Sequence, residues 1–224
     1  MSVSKVYDIT IVGGGIVGLA TAYKLQKKYP HLTISVLEKE ASLAFHQTGR
    51  NSGVIHSGLY YRPGSFRASN CVNGRKQLVK FAEEHSVAYD VCGKIVVATH
   101  EDELSRLDLI RENGIKNGLE GIEVIDTERI KEIEPFIDGI KALWVPESGI
   151  IDYKGVTIKL AELIKEINPD SDIITNCEAK RFEKGELSLI HTNLGVVTSR
   201  YLVFCGGLHS DRLARKDKVN LDMR

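Results

Sequence analysis

An α/β fold built on a parallel sheet is predicted by three observations. An apolar, β-rich run, Asp8-Ile9-Thr10-Ile11-Val12, leads directly into Gly13-Gly14-Gly15-Ile16-Val17-Gly18. A helix-compatible stretch, Leu19-Ala20-Thr21-Ala22-Tyr23-Lys24-Leu25, follows without a break. A second apolar run, Thr33-Ile34-Ser35-Val36-Leu37, closes on Glu38, about 20 residues past the glycines, where the acid of a βαβ nucleotide-binding unit belongs. A glycine pattern alone is weak evidence, because glycine-rich turns are common. Here strand, glycines, helix, second strand and terminal acid fall in register, which describes a Rossmann-like unit.

Each position in that unit has a physical task. Gly13 lets the strand turn sharply into the helix, Gly15 lets backbone approach a pyrophosphate, and Gly18 lets the helix pack on the strand. The helix N-terminus offers free N–H groups and the positive end of a dipole to phosphates. Glu38 can accept hydrogen bonds from ribose hydroxyls, and its charge repels a 2′-phosphate, which argues against NADP. An adenine dinucleotide is therefore expected. Gly13, Gly15, Ile16, Val17, Gly18, Glu38 and Lys39 are its candidate contacts.

The first helix is expected over Ile16 to Lys28, because Tyr29-Pro30 stops it. A nicotinamide-type fold would continue from Glu38 with another crossover helix and a third parallel strand. This chain instead enters Gln47-Thr48-Gly49-Arg50-Asn51-Ser52-Gly53-Val54-Ile55-His56-Ser57-Gly58, whose Gly, Ser, Asn and Arg content reads as a functional loop and not a helix. An amphipathic helix follows from Ser65 to His85, with Leu78, Val79 and Phe81 on its apolar side, and then a strand from Lys94 to Thr99. A charged helix, His100 to Gly118, carries Leu104, Leu107 and Ile110 at helical spacing and reads as a solvated helix lying on a core. Lys141 to Pro146 reads as another strand, so the block from about 89 to 149 is a small α+β insertion.

Helical periodicity returns from Val156 to Ile167, followed by a strand at Ile173-Ile174-Thr175-Asn176 and hairpin signals at Lys184-Gly185-Glu186 and Leu194-Gly195. The last strand, Tyr201-Leu202-Val203-Phe204-Cys205, ends in Gly206-Gly207, and Ser210-Asp211 opens a further helix. Gly206 and Gly207 either bring a second backbone contact to the dinucleotide or form a simple turn after a core strand. The missing third strand of the nucleotide fold is thus expected late in the chain, a topology that suits FAD proteins better than NAD proteins.

Composition sets outer bounds. The 224 residues are 42% hydrophobic and 27% charged, which is ordinary for a globular chain. Thirty basic and thirty acidic residues cancel, so nothing points to nucleic acid. Cys71, Cys92, Cys177 and Cys205 are scattered without a C-x-x-C, fitting free thiols in a reducing compartment and no zinc site. The sequence carries no metal-ligand constellation. Met1-Ser2-Val3-Ser4-Lys5 has no basic-then-apolar leader and no run is long enough to span a bilayer, so a cytoplasmic location is expected, with peripheral membrane contact left open.

The glycine run, Glu38, the segment Thr48-Gly49-Arg50-Asn51-Ser52-Gly53-Val54-Ile55-His56-Ser57-Gly58-Leu59-Tyr60-Tyr61 and Cys92-Gly93-Lys94-Ile95-Val96-Val97-Ala98 together resemble the L-2-hydroxyglutarate dehydrogenase/oxidase family, part of the FAD-dependent group that includes D-amino-acid oxidase and glycerol-3-phosphate dehydrogenase. Ile133-Glu134-Pro135, Gly149-Ile150-Ile151-Asp152 and Gly207-Leu208-His209-Ser210-Asp211 are similar to landmarks of the same group. Members of the family continue well past the charged tail Arg215 to Asn220, so the resemblance implies an N-terminal half. It implies an FAD-binding domain, 1–88 with 150–224, and part of a substrate domain, 89–149.

The resemblance also implies a reaction: oxidation of the C2 hydroxyl of L-2-hydroxyglutarate to 2-oxoglutarate, with hydride passing to flavin N5 and the proton to a base. His56 is the leading base candidate, since its loop is expected near the flavin and an imidazole is the side chain most often used for proton abstraction. Alternatively it hydrogen-bonds backbone or flavin to shape the loop. His46 is the weaker rival, and His31, His85 and His100 read as surface residues. Arg62 and Arg67 could clamp a carboxylate or simply face water, and Tyr60 and Tyr61 could hydrogen-bond substrate or merely pack. Arg50, Asn51 and Ser52, with Gly53 and Val54, suit FAD better than substrate. In the implied fold a residue near Ala179 contacts adenine through backbone. The implied partners are a 2-hydroxy dicarboxylate and an electron acceptor, which could be oxygen, a quinone or a flavoprotein. Two alternatives stay open: a sister flavoenzyme acting on glycerol 3-phosphate or an amino acid, and an inactive, truncated FAD-binding module.

Overall fold

A computed structural model describes residues 5–216. Along the chain the elements are β1 (Val6–Val12), α1 (Ile16–Lys28), β2 (Ile34–Leu37), β3 (Val54–Ile55), α2 (Phe66–Glu84), β4 (Tyr89–Asp90), β5 (Lys94–Ala98), α3 (Leu104–Lys116), β6 (Glu123–Ile125), α4 (Thr127–Ile133), β7 (Lys141–Val145), β8 (Gly149–Ile151), α5 (Tyr153–Ile167), β9 (Asp172–Ile174), β10 (Ala179–Glu183), β11 (Ser188–Thr192), β12 (Gly195–Phe204) and α6 (Ser210–Lys216). They fall into two compact units, one of the described residues up to Asn51 together with those from Tyr153 onward, the other of Ser52–Asp152. Met1–Ser4 and the part of the charged tail beyond Lys216 lie outside the described residues.

The first unit is a six-stranded sheet in the order β10-β11-β12-β1-β2-β9. β12, β1, β2 and β9 run parallel, while β10, β11 and β12 form an antiparallel meander. Parallel strands are buried on both faces and read as continuous apolar runs. Accordingly Ile9, Ile11, Val12, Ile34, Val36 and Leu37 are all buried. The polar exceptions in this core pair with each other: the Thr10 and Ser35 hydroxyls, both buried, meet at 2.7 Å.

The strand that completes the parallel core does arrive late. β9 joins β2 through the register Ser35↔Asp172, Val36↔Ile173 and Leu37↔Ile174. α1 packs along α5, whose buried residues Val156, Leu160 and Ile164 recur every fourth position. A buried polar cluster fastens the far end of that layer. Ser171 Oγ donates to Gln26 Oε1 at 2.7 Å, and Gln26 Nε2 donates to the Leu32 carbonyl at 2.9 Å. On the meander side, Phe182 and Phe204 meet edge-on at 4.9 Å within a cluster that includes Val12, Leu37 and Ile190.

The second unit holds two three-stranded antiparallel sheets, β5-β7-β6 and β3-β8-β4, with α2, α3 and α4. α2 starts where Ser65 accepts a hydrogen bond from the Ala68 N–H, an N-cap that satisfies one orphan donor of the first turn. α4 starts in the same way, at Asp126.

Two expectations are corrected. The segment 47–58 is not loop throughout: it contains a short 3₁₀ turn at Gln47–Gly49 and the two-residue β3. The compact units also divide at 51/52 and 152/153, not at 88/89 and 149/150. The reason is pairing: β3 and β4 both hydrogen-bond to β8, and α2 is tied to the 146–148 connection through Arg75 and Glu147, so 52–88 belongs with the second unit.

Candidate functional site

In the first unit the glycine turn is forced by packing. A Cβ at Gly13, whose φ is +125°, would lie 2.2 Å from the Cys205 carbonyl oxygen, and one at Gly18 would lie 1.9 Å from the Gly13 oxygen. Neither position admits a side chain. At Gly15 a Cβ would meet only Thr48 Oγ1, at 3.2 Å, so that glycine keeps the mouth of the turn open. Gly15 is also the N-cap of α1 and provides no side-chain cap. The N–H of Ile16 donates instead to Thr48 Oγ1 at 3.0 Å, and Val17 is 65% exposed at the helix start. First-turn N–H groups have no intrahelical partner, so this end of α1 can receive an anion.

Glu38 lies beside that turn and is almost fully buried. Its Oε2 accepts from the Gly14 N–H at 2.7 Å and its Oε1 from the Glu40 N–H at 2.9 Å. The Cys177 N–H donates to the Glu38 carbonyl at 2.8 Å, placing the start of the meander next to the acid. Two backbone donors fix the carboxylate, and its remaining lone pairs can take ribose hydroxyls. Burial pushes the Cys177 and Cys205 thiols up, with weaker opposing hydrogen bonds from Thr192 and Thr21, so both stay neutral beside the site. Lys39 is exposed and pairs with Glu40 at 2.9 Å, while His46 Nε2 meets the same Glu40 oxygen at 2.8 Å. Those two hydrogen bonds, Lys39's first, hold the Glu40 carboxyl below the usual range.

The loop from Ala44 to Asn51 is wound against the turn. Ala44 is held at φ 58°, a left-handed conformation that costs a non-glycine residue of order 1 kcal/mol. Its N–H reaches the Gly14 carbonyl at 3.1 Å. Arg50 lies over the Phe45 ring at 5.0 Å and donates to the Phe45 carbonyl, and Asn51 Nδ2 donates to the Thr48 carbonyl at 2.7 Å. Gly206 and Gly207 come directly after Cys205, and the rings of His209 and His46 meet edge-on with centroids 6.0 Å apart. Ala179 is buried at the head of β10, and its carbonyl accepts from Lys216 Nζ at 3.2 Å. Gly13 to Gly18, Glu38, Lys39, Arg50, Asn51, Ala179, Gly206 and Gly207 are therefore all in this unit. The residues fit an adenine dinucleotide: a helix start whose own N-cap residue brings no side chain, Gly13 and Gly18 with no room for a Cβ, and a buried, oriented carboxylate.

Ser52, Gly53, Val54, His56, Tyr60, Tyr61 and Arg62 belong to the second unit. Gly53, at φ +70°, accepts the Ile151 N–H at 2.8 Å, which holds β3 beside β8. His56 is exposed at the end of β3, and its carbonyl accepts from Cys71 Sγ at 3.3 Å. Asn117 Nδ2 donates to the carbonyls of Gly58 and Tyr61, at 3.0 and 2.8 Å, and pins the turn that carries Tyr60. Tyr60 is half-exposed, Tyr61 is partly buried, and Arg62 and Arg67 are exposed.

Two residues escaped the sequence reading. Thr48 caps α1 from 32 positions away, a pairing that no local pattern encodes. Lys94 Nζ stands 4.4 Å from the centre of the Tyr60 ring. Its one sequence signal was a charge in phase with Val96 and Ala98 on a strand.

Comparison with known proteins adds a family and several relatives. A model described as FAD dependent oxidoreductase matches residues 8–224. A protein named L-2-hydroxyglutarate dehydrogenase from Indibacter alkaliphilus is 41% identical over 220 residues, covering 97% of this chain and 55% of that protein. The mitochondrial L-2-hydroxyglutarate dehydrogenase of Homo sapiens is 40% identical over 231 residues, covering 97% of this chain and 50% of its own length. Among solved structures, the FAD-bound L-alpha-glycerophosphate oxidase of Mycoplasma pneumoniae superposes with a TM-score of 0.85 at 27% identity, over 94% of this chain and 56% of that one. Glycine oxidase from Geobacillus kaustophilus also reaches 0.85, at 20% identity, over 96% of this chain and 59% of that one, a likeness of fold. The chain spans about half the length of the curated relatives it matches.

Proposed function

The chain belongs to the FAD dependent oxidoreductase family, and from that premise we propose that the protein oxidises the C2 hydroxyl of L-2-hydroxyglutarate to 2-oxoglutarate. The observation that carries the substrate is the sequence likeness to L-2-hydroxyglutarate dehydrogenases, which runs over nearly the entire chain. FAD is the cofactor and, when bound, supplies the two-electron acceptor for the hydride leaving C2.

The chain's own residues bind and orient. The first-turn N–H groups of α1, among them those of Ile16 and Val17, and the Gly13–Gly18 backbone would hold the pyrophosphate. Glu38 would accept the ribose hydroxyls, Ala179 would meet adenine through backbone, and Lys39, Arg50, Asn51, Gly206 and Gly207 would contribute to holding the same cofactor. We propose Ser52, Gly53 and Val54 as further contacts of the cofactor. His56 takes the C2 hydroxyl proton on a ring nitrogen, and Tyr60, Tyr61 and Arg62 orient the substrate. Oxygen, a quinone or a partner flavoprotein would serve as the electron acceptor. We place the protein in the cytoplasm on its free, unpaired cysteines, with the mitochondrial setting named for several relatives as the rival that cell fractionation decides.

The test is anaerobic mixing of the FAD-loaded protein with L-2-hydroxyglutarate, glycerol 3-phosphate and a panel of amino acids. Bleaching of the flavin absorbance by L-2-hydroxyglutarate, with 2-oxoglutarate formed in equal amount, is the expected result. Bleaching by glycerol 3-phosphate or an amino acid in its place assigns a sister activity. A colourless protein that takes up no FAD overturns the enzymatic reading.

A further inference from the structure

Lys94 opens β5 on the side of the strand that faces a core. Alternate residues of a strand share a face. Val96 and Ala98, at that spacing from Lys94, pack with Leu59, Leu143 and Val145. The ladder partner of Lys94 is Val145, which is fully buried. A charge at the head of an apolar row is costly unless an anion meets it. Among the described residues Lys94 has no carboxylate partner. Its neighbours are the ring of Tyr60 and the thiol of Cys71. Burial pulls the ammonium below the usual lysine value, and the thiol works weakly against that shift.

The surroundings connect this cation to substrate chemistry. A ring face steadies an ammonium without using up its N–H donors, which remain for oxygen ligands. Cys71 donates to the carbonyl of His56. Lys94 therefore stands beside the segment that carries both the proposed base and the proposed substrate tyrosine, and it is more buried than Arg62, the cation picked from sequence. Gly93 keeps it there: at φ +76°, with a Cβ position only 2.2 Å from the Trp144 ring, that residue fixes the entry of β5. We propose that Lys94, steadied by the Tyr60 ring, binds a carboxylate of the substrate and selects dicarboxylates over monocarboxylates. The proposal rests on the reading of the protein as a 2-hydroxy dicarboxylate oxidoreductase.

The test uses the FAD-loaded protein with glutarate as dicarboxylate probe and butyrate as monocarboxylate probe. Binding is followed by calorimetry, and turnover of L-2-hydroxyglutarate is followed in parallel. Lys94→Met keeps the stem and removes the charge. Its glutarate Kd is expected to rise at least tenfold while its butyrate Kd stays within about twofold, and KM for L-2-hydroxyglutarate should rise far more than kcat falls. Lys94→Arg should restore most of the glutarate affinity. Lys94→Gln serves as the neutral variant where the methionine form melts early or loses its flavin. A folded neutral variant that binds glutarate as wild type overturns the assignment. A displaced flavin spectrum with unchanged glutarate affinity also overturns it and gives the ammonium to the cofactor. Wild-type protein that needs Lys94 for glutarate but does not turn over L-2-hydroxyglutarate keeps the cation site and overturns the substrate reading. Protein that binds neither probe overturns both.

Discussion

At Gly18 the space left for one methyl group decides whether the nucleotide turn can form. A Cβ there would collide with the Gly13 carbonyl, and backbone cannot step aside as a side chain can. Gly18→Ala is expected to cost about 1–3 kcal/mol of stability, the usual penalty of overpacking, together with FAD affinity. Gly15→Ala meets only the Thr48 hydroxyl, at 3.2 Å, which must give by a few tenths of an ångström, so its loss should appear mainly in FAD titration, with a smaller change in melting than Gly18→Ala. Equal melting losses in the two variants would contradict this division of roles. Glu38→Gln gives a second residue-scale prediction. Glu38 accepts from two backbone N–H groups, and an amide can offer only one oxygen to them. The orphaned donor should cost about 1–2 kcal/mol, and FAD affinity should fall at least tenfold, as read by melting and by fluorescence titration. The glycines and Glu38 were legible in the sequence because their spacing is local. Thr48 and Lys94 were not, because one acts on a helix 32 residues away and the other acquires its meaning from a ring on a separate turn.

Between elements, the ion pair of Arg75 and Glu147 joins α2 to the connection between β7 and β8. Arg75 is buried and reaches Glu147 Oε1 at 2.6 Å and the Glu147 carbonyl at 3.0 Å, while Glu147 Oε2 accepts from the Glu120 N–H at 3.2 Å. Burial works against the charge on Glu147, but the guanidinium and the N–H outweigh it and hold the carboxyl below its usual value. A carboxyl depressed in the folded state contributes stability above its unfolded pKa and loses it as pH falls through the folded one. Glu147→Gln should therefore cost about 2 kcal/mol near neutrality, by leaving Arg75 underpaired, and the gap from wild type should close below about pH 4. Chemical denaturation across the acid range checks both parts. A gap that stays constant to about pH 3 would rule the linkage out. Long elements were readable from pattern: α1 begins at Ile16 and ends at Lys28 as the glycine start and the Tyr29-Pro30 stop require. β3, β4, β6 and β8 were missed because two or three residues establish no period. α4 was missed as well, although Asp126 offered an N-cap signal that a seven-residue helix makes easy to overlook.

At the scale of the molecule, the sequence indicated a nucleotide sheet interrupted by an insertion, and it misjudged where the interruption starts. The strand and helix signals between about 89 and 149 suggested the boundary, but strand pairing to β8, which no local pattern encodes, moves it to Ser52. A dinucleotide held by the first unit adds stability to that unit. At a hundredfold excess over Kd the gain is about 2.7 kcal/mol. Hydrogen exchange with and without FAD should show new protection at Gly14 to Gly18 and around Glu38, and little change across Glu123 to Val145. Equal protection in both regions would contradict a cofactor site anchored on the glycine turn and Glu38. The late arrival of β9 has a further consequence, for synthesis. β1 and β2 leave the ribosome early, yet their sheet neighbours β9 and β12 are encoded only after the whole of the continuous unit Ser52–Asp152. At ordinary translation speeds the apolar edge of β2 waits on the order of ten seconds for Asp172–Ile174. The uninterrupted second unit can fold first, while the nascent first unit presents unpaired strands to chaperones and to other nascent chains. The yield of native protein in a cell is thus expected to depend on how that waiting edge is shielded during translation.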